Sequence, residues 1–253
     1  MHYADGAVHL ALSGRGALLL DGNWQAAVSV DGCNLEGRGN WEAICWNADE
    51  DGDYLELQLP LEGGARIDRQ LLLPRNGHLA FFADSILAPH SDRITYRARW
   101  PMAAGLRLQP ETKSRAVRVR GAQTAARIFP LALPAERIRS TSDQLSFDAS
   151  ALELIQHGRG SALYAPLVFD WSPKRRGLPA FWRGLTVSER SLPLPADVAV
   201  GYRLQVGTAQ WLVYHSLQNS DEARAVLGHH TWNETVIGAF RRDGTVDPLI
   251  LIE

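Results

Sequence analysis

The stretch "NWEAICWNADEDGDYLELQLPL", residues 40–61, decides the fold class, because apolar and polar residues alternate one by one in its second half. In the run "YLELQL" (54–59) the leucines point one way, while the glutamate and the glutamine point the other. Period-two alternation is typical of a strand with one buried face. The Asp51-Gly52 pair before the run tolerates the positive φ of a tight turn, so the stretch predicts a turn leading into a strand.

The same kind of pattern recurs along the chain. The segments "ITYRARW" (94–100) and "VAVGYRLQV" (198–206) alternate in the same way, whereas "LAFFAD" (79–84) and "PLILIE" (248–253) predict more fully buried strands. Further turn dipeptides occur at Asp5-Gly6, Asp21-Gly22, Asp31-Gly32, Asn76-Gly77 and Asp243-Gly244.

These signals combine into one architecture. The stretch 16–32 contains two of the Asp-Gly pairs and predicts a hairpin, while 220–227 predicts one or two helical turns. Many short strands with very little helix are typical of stacked antiparallel sheets. We therefore predict an all-β fold, a single large antiparallel β-sandwich domain spanning residues 1–253.

Composition excludes few classes of protein and favours none. The formal net charge is -2 and charged residues make up 21% of the chain, so nothing global indicates a nucleic-acid or membrane-surface partner. No apolar run approaches the roughly 20 residues that span a bilayer. The first ten residues lack a signal-peptide pattern, which makes the cytoplasm the default expectation. Cys33 and Cys45 are predicted to be free buried thiols, with a disulfide across a short loop as the alternative.

The acids of the opening stretch raise the question of a calcium site. An EF-hand loop starting at Asp49 would need glycine at 54 and glutamate at 60, where this chain has Tyr54 and Pro60. We therefore interpret the acids as solvated turn residues, with calcium in another geometry as the alternative. The neighbouring apolar side chains are predicted to anchor a core rather than to bind a sugar; they are Trp41, Ile44 and Trp46.

Arginines cluster between residues 93 and 127, where Glu111 is the only acid among them. Arg97 and Arg99 share one strand face, and Arg118 and Arg120 share another. If those strands are neighbours, the four side chains form a cationic plate suited to an acidic polysaccharide or a phosphorylated ligand. The alternative is that the arginines pair with acids of the same protein, such as those on and beside strand 54–59.

The segment 213–234 combines several side chains that can take part in catalysis. Tyr214, Arg224, His230 and Glu234 are the candidates for catalysis, with His78 or His90 from another strand. An arginine would neutralise a substrate carboxylate and a tyrosine or histidine would move protons, as β-elimination from a uronic acid requires. Polar strand ends are the alternative interpretation. His230 and Glu234 offer two metal ligands at most, so we predict no metal site and no cofactor.

The segment 24–90 contains Val30-Asp31-Gly32, then Asp53-Tyr54, Arg69 before an apolar strand, and Asp84 closing the next one. In these positions it resembles the β-sandwich part of heparinase II/III-like proteins. The resemblance implies a large sandwich related to the galactose-mutarotase-like supersandwich and a carbohydrate setting. It does not imply lyase activity, because the chain has no room for the family's catalytic helical toroid and lacks the expected His-Asn pair.

Three functional hypotheses follow. The first is a non-catalytic β-sandwich module, accessory to carbohydrate metabolism, that binds an anionic glycan through the arginines or in a groove near Trp232. The second is a carbohydrate-active enzyme, either a polysaccharide lyase or epimerase-like. The third is a protein-interaction module that uses an aromatic patch over 171–182. Several titratable groups in one concave pocket would favour the enzyme.

Overall fold

The computed structural model of the chain describes residues 1–4, 6–89, 91–122 and 124–253, and regular structure in these ranges is almost entirely β-strand. The strands, in chain order, are β1 (His2–Ala4), β2 (Ala7–Gly14), β3 (Ala17–Asn23), β4 (Gln25–Val30), β5 (Cys33–Leu35), β6 (Glu42–Ala48), β7 (Gly52–Pro60), β8 (Arg66–Pro74), β9 (Leu79–Leu87), β10 (Arg93–Pro101), β11 (Arg107–Pro110), β12 (Val117–Arg120), β13 (Ala125–Pro130), β14 (Gln144–Phe147), β15 (Ala151–Arg159), β16 (Ala162–Asp170), β17 (Ala180–Leu185), β18 (Val187–Glu189), β19 (Leu192–Pro193), β20 (Ala199–Val206), β21 (Ala209–Ser216), β22 (Arg224–Val226), β23 (His229–Thr231), β24 (Thr235–Phe240) and β25 (Val246–Ile252). One 3-10 turn, Glu62–Gly64, is the only helical element in the described ranges.

An eight-stranded antiparallel sheet forms the centre of the fold, in the order β11-β12-β13-β16-β9-β8-β7-β6. One of its faces packs against the sheets β14-β15-β10-β4-β5 and β1-β2-β3, and the other against β17-β20-β21-β24-β25. The four-stranded sheet β19-β18-β22-β23 covers the far side of that last sheet. The prediction of an all-β antiparallel sandwich is confirmed.

Two cores on opposite faces of the central sheet explain why its inner strand β9 is mainly apolar on both faces. Phe82 belongs to the first core, where its ring meets Trp24 edge-on at 5.4 Å, and the adjacent Phe81 belongs to the second. Because successive side chains of a strand point to opposite faces, a strand covered on both sides has apolar residues at most positions instead of alternating with polar ones. The prediction that 79–84 is a buried strand is confirmed, since these residues of β9 are all buried.

Four predictions of local structure are wrong. The Asp21-Gly22 pair lies within strand β3 and not in a turn. Residues 248–252 of the run 248–253 lie on β25, an edge strand of its sheet, and the run is largely accessible to water. The stretch 16–32 is not a hairpin, because β3 pairs with β2 while β4 pairs with β10 and β5. The segment 220–227 forms a turn followed by strand β22 rather than a helix.

Several turn predictions are confirmed. Asp31 and Gly32 connect β4 to β5 with φ values of 51° and 88°. Asp51 and Gly52 end the turn between β6 and β7, where both backbone N–H groups donate to the Asp49 carboxylate at 2.9 and 3.0 Å. Asp49 is therefore a turn cap, as the solvated-turn interpretation predicts. Asp5, in the first Asp-Gly pair, lies outside the described residues.

The side chains around this turn only partly follow the prediction. Trp41 is a buried member of the first core, but Ile44 and Trp46 are 50% and 68% exposed, so the prediction that they anchor a core is wrong. Both cysteines are free, as predicted, but neither is fully buried: Cys33 is exposed and Cys45 is partly exposed. No helix in the described residues is long and apolar enough to cross a membrane.

Candidate functional site

The four predicted ligand-binding arginines do not form one plate, because they lie in different sheets. Arg97 and Arg99 are on β10, which belongs to a flanking sheet, whereas Arg118 and Arg120 are on β12 of the central sheet. Arg97 lies 3.7 Å from a Glu153 carboxylate oxygen, and Arg99 lies 3.2 Å from one of Asp148. The alternative of pairing with internal acids therefore describes β10, although the acids are not those of strand 54–59.

The β12 arginines line a cleft of about 440 Å³, here called the arginine cleft and defined by Arg118, Arg120, Arg127 and Arg176. Strand register brings like charges together: Arg107 on β11 is directly opposite Arg120, and Arg118 is directly opposite Arg127 on β13. Like charges in directly opposed positions destabilise a sheet, so these contacts need a counter-charge.

Glu111 is the acid that neutralises part of this cluster. Its Oε1 lies 3.1 Å from Nε of Arg118 and 3.0 Å from Nε of Arg127. Burial alone would raise the pKa of Glu111, but the hydrogen bond from Ser114 and the two arginines lower it overall. Within the described ranges no carboxylate lies within 4 Å of Arg107, Arg120 or Arg176, as the ion pairs of the protein all involve other groups.

A second cleft, of about 320 Å³, gathers three of the four predicted catalytic residues and the predicted Trp232. We call it the Trp232 cleft. Tyr214 comes from β21, Arg224 from β22, and Trp232 and Glu234 from the loop between β23 and β24. His230 does not line the cleft: it is exposed on β23, opposite Ala225.

The guanidinium of Arg224 is fixed in the floor of the Trp232 cleft. Its Nε donates to Glu189 Oε2 at 3.1 Å, and Nη1 donates to the hydroxyl of Ser216. Arg224 is only 3% exposed, so its charge is compensated inside the protein. Burial raises the pKa of the Tyr214 hydroxyl, although Arg224 and Ser216 beside it act in the opposite direction.

Glu234 is the acid of this cleft that the protein stabilises least. Its carboxylate has no ion-pair partner within 4 Å among the described residues. Burial, followed by the charge of Asp68, raises the pKa of Glu234, and Arg66 offsets this only in part. A half-buried carboxylate of this kind gains free energy from any cation or hydrogen-bond donor that enters the cleft.

Sequence reasoning missed a closed polar network between the central sheet and the sheet of β21. The His215 ring bonds through Nε2 to Ser85 Oγ at 2.8 Å and through Nδ1 to Thr235 Oγ1 at 2.9 Å. The Tyr164 ring stacks on it at 4.6 Å, and the Tyr164 hydroxyl donates to Gln70 Oε1 at 2.8 Å. Burial lowers the pKa of His215 to about 3, so the ring is neutral.

Glu56 extends the same network and is only 4% exposed. Its carboxylate accepts hydrogen bonds from Tyr54 at 2.9 Å and from Gln70 at 3.2 Å. Burial raises the pKa of Glu56 to about 7, against the effect of these bonds. The void beside Gln70 and Tyr164 holds only about 10 Å³, roughly one water or less, so the network is a structural feature of the interior.

Two buried acids of the central sheet, Asp84 and Asp170, have structural roles. Asp84 accepts two hydrogen bonds from Arg69, at 2.9 and 2.8 Å, and both side chains are buried. Asp170 pairs with Arg175 at 2.9 Å. His78 follows the turn after β8 and lines a different cleft, together with Arg75 and Trp171. His90 lies outside the described residues.

Two of the three aromatic side chains in the predicted interaction patch over 171–182 are buried. Trp171 and Trp182 are 7% and 1% exposed. Leu178 and Phe181, at 41% and 45%, are the exposed apolar side chains that remain there.

Comparison with known proteins places the fold. The chain matches no protein-family model and no curated protein by sequence. Its structure is similar to a mutant of the heparan sulfate lyase HepC from Pedobacter heparinus, with a TM-score of 0.50 and 12% identity over 76% of this chain. A heparinase III structure aligns over 75% of this chain with a TM-score of 0.45 and 10% identity.

The predicted resemblance to the sandwich of heparinase II/III-like proteins is confirmed as a likeness of fold. The chain spans about 30% of the length of the lyase chains that it matches. At 12% identity the likeness concerns the backbone architecture alone.

Proposed function

We propose that this chain is a non-catalytic β-sandwich module of carbohydrate metabolism that binds an anionic glycan in the arginine cleft. The observation that carries the proposal is the excess of positive charge there. Glu111 balances only part of a cluster in which Arg107, Arg120 and Arg176 have no carboxylate nearby among the described residues. A ligand carboxylate or sulfate would supply the missing counter-charge.

The geometry of the arginine cleft suits a charged polymer. Residues two apart on a strand lie about 7 Å from each other on the same face, which spaces Arg118 and Arg120 for successive anionic groups. Arginine forms paired, charge-assisted hydrogen bonds with planar carboxylates and with sulfates. Opposed like charges that destabilise the free protein are relieved on binding, so part of the binding free energy comes from removing repulsion.

Two features of the Trp232 cleft favour a module without catalysis over the lyase hypothesis. Arg224 is already neutralised by Glu189, so it is not free to neutralise a uronate carboxylate. Burial raises the pKa of Tyr214. Near neutral pH, a smaller fraction of this side chain is therefore in the deprotonated form that can act as a general base than in an ordinary tyrosine.

The binding experiment uses a heparin oligosaccharide, a polyuronate oligosaccharide and a neutral glucan, measured by calorimetry. Arg118→Gln with Arg120→Gln should weaken binding of the anionic glycans by about tenfold or more, and added salt should weaken it further. Arg97→Gln with Arg99→Gln removes the same charge from β10 and serves as the matched control. Equal losses in the two double variants, or no binding to any anionic glycan, would contradict the proposal.

The enzyme alternative has its own readout. The same glycans are incubated with the protein and followed by the absorbance of an unsaturated uronate. We expect no product beyond the buffer blank. Product formed by the native protein and abolished by Tyr214→Phe would establish the lyase instead.

A further inference from the structure

The Trp232 cleft has a charge balance opposite to that of the arginine cleft. Glu222, Glu234 and Glu253 line it against a single arginine. Glu189 compensates Arg224, and Arg190 donates a hydrogen bond to Glu222. The uncompensated groups are therefore carboxylates, which disfavours an anionic ligand and favours a cationic one.

Trp232 lines the same cleft as these carboxylates, on a loop fixed by hydrogen bonds. The indole is 74% exposed, yet Asn233 N donates to Thr231 Oγ1 at 3.0 Å, and the Thr231 hydroxyl donates to Asn233 Oδ1 at 3.0 Å. The carbonyl of Glu234 accepts a hydrogen bond from Ser216 N at 2.8 Å, which ties the loop to β21. An exposed tryptophan on an ordered loop beside carboxylates is a good site for a ligand cation over the ring face.

We propose that the Trp232 cleft binds an amino sugar as its protonated, cationic form. The sugar ring lies on the Trp232 indole, and the ammonium group lies between the indole and the Glu234 carboxylate. The hydroxyl groups face the short polar side chains of the cleft, among them Asn219 and Ser220. These several polar groups suit a polyhydroxylated ring better than the bare alkyl stem of a lysine.

The size of the cleft agrees with a ligand of this kind. Its volume of about 320 Å³ falls at the lower end of the roughly 300–1,000 Å³ that small-molecule sites occupy. The inference goes beyond glycan binding by the arginine cleft, because it concerns a second site with the opposite charge preference.

The test is calorimetric titration at mildly acidic pH, where the sugar amines are protonated, with a glucosamine oligosaccharide carrying free amines and with its fully N-acetylated counterpart. Trp232→Ala should weaken binding of the free-amine oligosaccharide by about tenfold or more. Trp46→Ala, which removes a similarly exposed tryptophan from β6, should leave it unchanged. Glu234→Gln should weaken the free-amine ligand by about tenfold and the N-acetylated one by less than about threefold.

The outcomes separate this proposal from the previous one. Trp232→Ala should leave binding of a heparin oligosaccharide unchanged. Thermal unfolding checks that the variant is folded, because misfolding would abolish binding of both the heparin and the glucosamine oligosaccharide. Equal affinity for the two glucosamine oligosaccharides would overturn the role of the amine. Tighter binding of a lysine-rich peptide than of the amino sugar, or a matching loss in Trp46→Ala, would overturn the proposal as a whole.

Discussion

The buried ion pair Arg69–Asp84 lies against the first core. Beyond its two hydrogen bonds to Asp84, Arg69 donates through Nη1 to the Trp24 carbonyl at 2.7 Å. Its guanidinium lies 3.8 Å from the centroid of the Trp24 ring and 4.5 Å from that of Trp41. Tyr96 donates its hydroxyl to Asp84. Each charge therefore has partners on several sides, which a buried ion pair requires.

We expect Asp84→Asn to lower the free energy of unfolding by about 3–5 kcal/mol, because it leaves the Arg69 charge buried without a counter-charge. Urea denaturation followed by tryptophan fluorescence measures the change. Asp53→Asn is the matched control: Asp53 pairs with Arg75 at 2.7 Å, but both are exposed, so the expected loss is below about 1 kcal/mol. Equal losses at the two positions would contradict the account of the buried pair.

Glu56 makes stability depend on pH near neutrality. Because its pKa in the folded protein is about 7 and its ordinary value is 4.5, the folded state holds the proton more tightly. This contribution to stability is fully present below about pH 4.5 and is lost as the pH rises through about 7. Glu56→Gln should remove this pH-dependent loss of stability. The unfolding free energy of the variant should therefore rise relative to that of the native protein by about 1–3 kcal/mol between pH 5 and pH 8.

His215 contributes a pH dependence of stability with the opposite sign, because its pKa of about 3 in the folded protein lies below its ordinary value of 6.5. Its burial in the neutral form therefore makes stability rise with pH between these values. The effect is common to the native protein and Glu56→Gln, so it cancels in their difference. A difference in unfolding free energy that stays constant from pH 5 to pH 8 would contradict the assignment to Glu56.

At the scale of elements, the edge strand β25 depends on one glycine. A Cβ atom on Gly238 would lie 2.5 Å from Val246 Cγ1 and 2.6 Å from the Asp247 carbonyl oxygen, at the irregularity where β24 and β25 shift register. Gly238→Ala should separate the two strands and destabilise the protein by about 1–3 kcal/mol. Hydrogen exchange should show lost protection in β25 first.

Gly184 on β17 provides the control for this substitution. It lies on the opposite edge strand of the same sheet, and a Cβ there would meet no heavy atom within 4 Å. Gly184→Ala should leave exchange and stability nearly unchanged. Comparable damage from the two alanines would mean that the close approach at Gly238 is not what holds β25.

Strands were predictable from the sequence where a single buried face produced a simple alternation of apolar and polar residues. The alternation of 94–100 and 198–206 corresponds to β10 and β20. The alternation could not show which strands pair with each other. No local sequence signal indicates that β3 and β4, on either side of Trp24, belong to different sheets. Nor could it reveal that the polar face of 54–59 is buried, because Glu56 lies between two layers rather than facing water.

At the scale of the whole molecule, the stack of layers predicts a gradient of local stability. β9 and β16 lie at the centre of the central sheet with layers on both faces, whereas β1, β5 and β25 are edge strands. Native-state hydrogen exchange should find β9 and β16 amides exchanging only by global unfolding, and the edge strands by local opening. Faster exchange in β9 than in β25 would contradict this arrangement of layers.

The two clefts differ in how far the sequence could predict them. Tyr214, Arg224 and Glu234 lie within one segment whose short strands fold back on each other, so their neighbourhood in the chain anticipated the Trp232 cleft. The arginine cleft needs Arg176, more distant in sequence and placed by the loop after β16, and it excludes the β10 arginines. The density of arginines in the sequence predicted a cationic surface. Its location depends on which sheet each arginine-bearing strand joins, and the sequence did not show this.

The central claim, that the arginine cleft is the glycan site, is tested most directly by NMR. Arginine side-chain Nε–Hε signals are followed while a heparin oligosaccharide is added. The account predicts saturable shifts for Arg118, Arg120 and Arg176, with Arg97 and Arg99 unchanged. Shifts that are equal at the β10 arginines, or absent from the cleft, would contradict it.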